Sequence, residues 1–147
     1  MTANVADVVH ADRERRTILA HKDRWREHAA VNAGRAKRWV QSLWRDAGER
    51  TGVLVSAGPS LVDSIAEIRL LDRARVDIVA VDMALACLLR AGIVPDFVIC
   101  SDASEEISPA LAVPELDSLP VAMWPTLLAN VVIHPETGAG WRGPVYW

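Results

Sequence analysis

From Val53 to Trp147, short apolar runs alternate with stretches in which apolar residues recur every three or four positions. That alternation predicts βα units feeding a parallel sheet. Val53–Ser56 reads as a first strand and Ser60 to about Leu71 as a helix, with Leu61, Ile65, Ile68 and Leu71 on one face. A second strand is expected over Val76–Asp82, a helix over Met83–Arg90 stopped by Gly92, and a third strand over Pro95–Asp102. Beyond it, a short helix over Glu105–Ala112, a fourth strand over Pro120–Trp124 and a fifth over Val131–Ile133 complete the pattern. Gly143–Trp147 reads as the start of one more strand, so the sheet is expected to present an open edge that a partner chain or further sequence covers.

The earlier part of the chain has another texture. From about Val5 to Ala47 there is no proline, and Gly34 is the only glycine. Ala36, Trp39, Val40, Leu43, Trp44 and Ala47 repeat with the spacing of an amphipathic helix. Gly34 is expected to separate it from a longer, more charged helix, and Gly48 to stop it. The expected architecture is therefore an α/β, Rossmann-like, mostly parallel open sheet with helices on both faces. An N-terminal helical appendage (1–48) precedes that domain (49–147), with Trp39 and Trp44 packing onto it or onto a second subunit.

A net charge of -3 across 147 residues gives no general attraction to nucleic acid or to an anionic membrane. The early basic residues, Arg13 to Arg38, alternate with Asp12, Glu14, Asp23 and Glu27, the pattern of a solvated helix face. Cys87 and Cys100 lie in apolar runs, without metal-ligand or redox spacing, and read as packing residues. No basic leader precedes an apolar stretch, and no run approaches the roughly 18 apolar residues of a membrane span. A cytoplasmic protein is expected, with any self-association running through the N-terminal helices or the open sheet edge.

Open α/β sheets bind ligands beyond the carboxyl ends of their strands. The turn Ala57-Gly58-Pro59-Ser60-Leu61 follows the first strand: Gly58 permits a tight turn and close approach, Pro59 fixes φ, and Ser60 suits a helix N-cap. A helix start with free N–H groups is a natural phosphate cradle. Asp82 closes the second strand and Asp102 the third, so both carboxylates are expected on the same rim, where they could hold Mg²⁺ or accept a ribose hydroxyl. Helix capping is the plainer use of Asp82, Asp102 and Ser60 alike. Asp96 enters the third strand from the opposite end and is expected to fix a turn. His134 is a candidate base or phosphate ligand. Trp124, Trp141, Tyr146 and Trp147 suit packing better than stacking on a ligand ring.

In order, Gly58-Pro59-Ser60-Leu61, Ile78-Val79-Ala80-Val81-Asp82, Leu88–Val98 and Ser101-Asp102 resemble the 6-hydroxymethylpterin diphosphokinase MptE-like family. That family is related to the Maf proteins of flagellin glycosylation. The resemblance is strong over Thr51–Asp102 and looser elsewhere. It implies a nucleotide-dependent transferase, using ATP in the pterin kinases and a nucleotide sugar in the glycosylation branch, with Mg²⁺ as the metal. By position, Ala57, Gly58, Pro59, Ser60 and Leu61 would hold phosphate, Asp82 would contact nucleoside or metal, and Asp102 would lie on the metal or acceptor side. Asp82 and Asp102 thus become the catalytic candidates. No Lys or Arg stands beside the glycine turn in sequence, and family members generally run longer. Three readings remain open: a transferase, a nucleotide-binding module without chemistry, and an interaction domain.

Overall fold

The computed structural model describes residues 5–45 and 49–147. A helix α1 (Val5–Arg35) leads through an irregular stretch and a 3₁₀ segment (Val40–Arg45) to the strand β1 (Thr51–Val55). Then follow α2 (Leu61–Arg69), β2 (Val76–Val81), α3 (Leu85–Arg90), β3 (Phe97–Cys100), α4 (Ser108–Leu111) and α5 (Pro114–Asp117). The chain closes with β4 (Thr126–Ala129), α6 (Pro135–Gly140) and β5 (Val145–Tyr146). The five strands are all parallel, in the order β1-β2-β3-β4-β5.

This sequential order decides where the helices go. Right-handed crossovers that always step to the next strand in one direction return on the same side of the sheet. The register puts Val55, Ala80, Val98 and Leu127 level with one another on one face. All four are buried there, with Leu61 and Ile68 of α2, Leu85 and Leu88 of α3, Leu111 of α4 and Leu116 of α5 in the two clusters that form the core. The open parallel sheet thus matches expectation, but helices α2–α6 gather on one face. On the other face Leu54 is 62% exposed.

Several sequence expectations shift. Gly34 does not divide the N-terminal region, because α1 runs through it to Arg35. The amphipathic spacing after it yields only the 3₁₀ segment Val40–Arg45. The backbone there is claimed by a tertiary partner: the Val40 N–H donates to the Trp147 carbonyl (2.8 Å), and the Trp147 N–H donates to the Arg38 carbonyl (3.0 Å). Trp39 remains 46% exposed. The Trp44 side chain, Ala47 and the stop at Gly48 lie outside the described residues.

Pro120–Trp124 is not a strand but a 3₁₀ turn over Val121–Met123, whose Val121 and Met123 are exposed. The fourth strand begins instead after Pro125, where the Thr126 N–H donates to the Asp96 carbonyl. Val131–Ile133 is also not a strand. Asn130 folds it into a turn by accepting the Val132 N–H on its side chain (3.2 Å) and the Ile133 N–H on its carbonyl (3.0 Å). The fifth strand is the segment after Gly143.

α1 is docked through that turn. Fully buried Asn32 donates through Nδ2 to the carbonyls of Val131 (2.8 Å) and Ile133 (2.9 Å). The ring of His28 pairs with the Val132 carbonyl (3.0 Å), and Arg35 reaches the Pro135 carbonyl. Side-chain donors therefore satisfy carbonyls that a sheet ladder would otherwise have used.

Candidate functional site

The carboxyl ends of β1, β2 and β3 are adjacent, since each strand pairs with the next in parallel. Neighbouring strands stand about 4.8 Å apart, so ligand-facing groups on the first and third lie roughly 10 Å from each other. Residues 56–60 leave β1 as an exposed turn. Within it the Leu61 N–H donates to the Gly58 carbonyl (3.0 Å), while Ser60, the cap residue of α2, makes no side-chain cap bond. Ser60 is exposed, whereas Leu61, expected with it at the phosphate, buries its side chain in the core and spends its N–H on Gly58; Asp63 is the one acidic side chain of the first turn.

Gly58 has no left-handed backbone; that conformation belongs to Gly92 alone among the glycines described (φ 73°). Nor would a Cβ at Gly58 meet any atom within 4 Å. The expected need for glycine to make the turn is therefore corrected: what glycine leaves at this position is open space above the strand end.

Asp82 directly follows β2 and is half-buried; its Oδ1 accepts the Met83 N–H (2.7 Å). Asp102 lies two residues past β3, exposed, and its Oδ1 accepts the Ser104 N–H (2.8 Å). Each carboxylate thus spends one oxygen on the backbone of its own turn. Cys100 sits between them. Burial, with the nearby negative charge of Asp82 adding to it, pushes its thiol up to about 12, so it is a packing residue and not a nucleophile.

No group of three or more His, Cys, Asp or Glu side chains with metal-binding geometry occurs among the described residues. Two carboxylates nevertheless suit Mg²⁺, which commonly takes one or two protein carboxylates and completes its shell with phosphate and water.

The remaining candidates fall elsewhere. Asp96 stands at the entry to β3, where its Oδ2 accepts the Ile78 N–H (2.7 Å) and pairs with Arg73 (2.8 Å), the turn-fixing use expected of it. His134 packs edge-on against His28 with ring centres 5.2 Å apart, beneath α1. Trp141 is buried against Trp124 (5.2 Å) and donates to the Pro125 carbonyl, while Tyr146 lies under Arg38 (5.6 Å). These aromatics pack around β4 and β5, at the far side of the sheet from the glycine turn. Arg69 and Arg90 stay on helices, held by the Ala91 carbonyl and by Glu115.

The linear pattern gave no sign of what α1 brings to the rim. Its middle lies beside the loop after β3, and a cleft of about 400 Å³ separates His21, Arg24 and Trp25 from Ser101, Asp102 and Ser104. A cation, Arg24, is thus brought beside Asp102 from a helix distant in sequence, away from the glycine turn. Charge alternation along α1 hid it, because a solvated face and a ligand-facing one look alike in sequence.

A parallel sheet of five strands with its helices gathered on one face defines an open-sheet α/β domain. The chain belongs to the 6-hydroxymethylpterin diphosphokinase MptE-like family, whose pattern it matches over residues 27–146. Its fold is similar to that of a Maf glycosyltransferase from Magnetospirillum magneticum AMB-1, with a TM-score of 0.61 and 21% identity. The likeness covers 86% of this chain but only 20% of that one, so the present chain spans about a fifth of its solved relative. Comparison with curated proteins gives no match. Among the described residues no helix is long and apolar enough to cross a membrane.

Proposed function

We propose that the carboxyl rim binds a nucleotide and serves the transfer of its activated group, in the manner of a pterin diphosphokinase. The observation that carries this reading is the convergence of the exposed Ala57–Ser60 turn, Asp82 and Asp102 at three neighbouring strand ends. Family membership adds support. Phosphate would lie over Gly58 and the free hydroxyl of Ser60, where backbone N–H groups and the α2 dipole favour negative charge. Asp82 would take the nucleoside or metal side and Asp102 the metal or acceptor side. Mg²⁺ held between carboxylate and phosphate would neutralise charge developing on the diphosphate. In this reading the protein works where its nearest chemistry is soluble, in the cytoplasm.

A nucleotide-sugar reaction is the second reading, favoured by the structural likeness to a glycosyltransferase. The two part company over the donor, since both need the same phosphate cradle. Thermal-shift titration with ATP, CTP and a CMP-sugar, with and without Mg²⁺, tests them. Ligands that bind only the folded state raise Tm in proportion to the logarithm of their concentration over Kd. A Mg²⁺-dependent shift with ATP, lost in Ser60→Ala and Asp82→Ala, supports the diphosphokinase reading; a shift confined to CTP and the CMP-sugar supports the other. Binding without product marks a nucleotide-binding module. No shift with any nucleotide sinks both readings and leaves an interaction domain.

A further inference from the structure

The cleft under α1 is lined by groups of two kinds. Its α1 wall carries a guanidinium, Arg24, and two rings, His21 and Trp25, whose centres lie 5.8 Å apart at a 31° tilt. Its other wall carries two hydroxyls, Ser101 and Ser104, and the carboxylate of Asp102. Opposite charges face each other across the opening, yet Arg24 makes no ion pair with Asp102 or with any other described carboxylate. Both charges are therefore available to a guest. The helix that forms one wall is held in place by buried Asn32, two turns further on, so the opening is set by the fold and not by a mobile arm.

We propose that this cleft binds a small molecule carrying an oxyanion on a hydroxylated ring, and that it is the acceptor half of the site. Arg24 offers a bidentate donor pair to a phosphate or carboxylate, with His21 beside it. The apolar side of the ring lies along Trp25. The ring hydroxyls donate to Asp102 and exchange hydrogen bonds with Ser101 and Ser104. Position assigns the role. The cleft is built over the ends of β3 and β4 and includes neither the glycine turn nor Asp82, so of the three rim features it shares Asp102 alone. A nucleotide over β1 and β2 and an anionic acceptor beneath α1 would then meet at that carboxylate. The acceptor role rests on the proposed nucleotide reading; the binding does not. Residues 21–25 precede the span matched by the family.

Isothermal titration of the full chain with glucose 6-phosphate, glucuronate and neutral glucose tests it. The charged sugars are expected to bind and glucose not; which of the two binds more tightly tells a phosphate guest from a carboxylate one. Arg24→Ala is expected to weaken binding about 10- to 100-fold, the usual worth of a charge-assisted hydrogen-bond pair. Arg26→Ala, two residues on and so on the opposite side of the helix, is expected to change nothing. Ser60→Ala should spare sugar binding while removing any ATP shift, so failure of the nucleotide reading leaves a separate signature. Absence of binding by either charged sugar, or equal binding by wild type and a folded Arg24→Ala protein, overturns the proposal.

Discussion

Asn32 offers the sharpest test of how α1 is placed over the rim. Its side chain is fully buried and its Nδ2 donates twice, at 2.8 and 2.9 Å, to carbonyls of the turn after β4. Two hydrogen bonds at about 1 kcal/mol each give about 2 kcal/mol, and carbonyls left without a donor raise the cost of Asn32→Ala toward about 4 kcal/mol. The Oδ1 of Asn32 is itself buried without a partner, so truncation also removes an unmet acceptor and pulls the figure back toward about 2–3 kcal/mol. For a chain of this size that corresponds to a fall in Tm of roughly 6–9 °C. Asn32→Asp should cost more than Asn32→Ala, because a carboxylate of the same shape can donate nothing and repels both carbonyls. Urea denaturation gives the energy and hydrogen exchange along α1 gives its location, with Val31→Ala on the neighbouring, exposed position as control. If Asn32→Ala lies within about 0.5 kcal/mol of the parent, with exchange in α1 unchanged, the docking argument is wrong, since surface substitutions alone stay within that range.

Three further predictions follow from the packing. Gly58→Ala should leave urea stability within about 0.5 kcal/mol of the parent, because its backbone is not left-handed and a Cβ meets nothing; a loss of nucleotide binding in that variant would report the ligand alone, and unchanged binding would argue against close approach at this turn. Gly143→Ala is the contrasting case: its Cβ would come within 2.9 Å of the Pro125 carbonyl, Trp124 and the Trp141 ring nitrogen, so a loss of about 1–3 kcal/mol is expected in the same assay. Cys100, raised from 9.0 to about 12 in the fold, binds its proton more tightly folded than unfolded, so its contribution is complete below pH 9 and is lost as pH climbs toward 12. Stability should therefore fall more steeply between pH 8 and about pH 10.5 in wild type than in Cys100→Ala, and equal slopes would show that the thiol is not shielded.

Local pattern carried much of the sheet and its rim. Ile78–Val81 and Phe97–Cys100 are continuous apolar runs bounded by turn residues, and Gly92 ends α3 in the one left-handed glycine conformation described. Strand ends are properties of short segments, so the positions of Ser60, Asp82 and Asp102 on one rim followed from sequence alone once the sheet was parallel. The same local reasoning failed where apolar residues had a choice of partner. Val131–Ile133 and Pro120–Trp124 are as apolar as a strand, but the first supplies carbonyls to α1 and the second turns at a proline. Ala36–Ala47 has helical spacing, yet its backbone pairs with Trp147, more than a hundred residues away.

By itself, then, the sequence determined the family, the βα alternation and the residues at each of the first three strand ends, because these depend on contacts between near neighbours. Only the tertiary structure decided that the helices share one face, that Gly58 marks open space and not a strained turn, and that Arg24 and His21 stand opposite Asp102. Those facts depend on strand order and on how α1 docks. Burial and hydrogen bonding between distant segments set both, and periodicity along the chain carries no record of them.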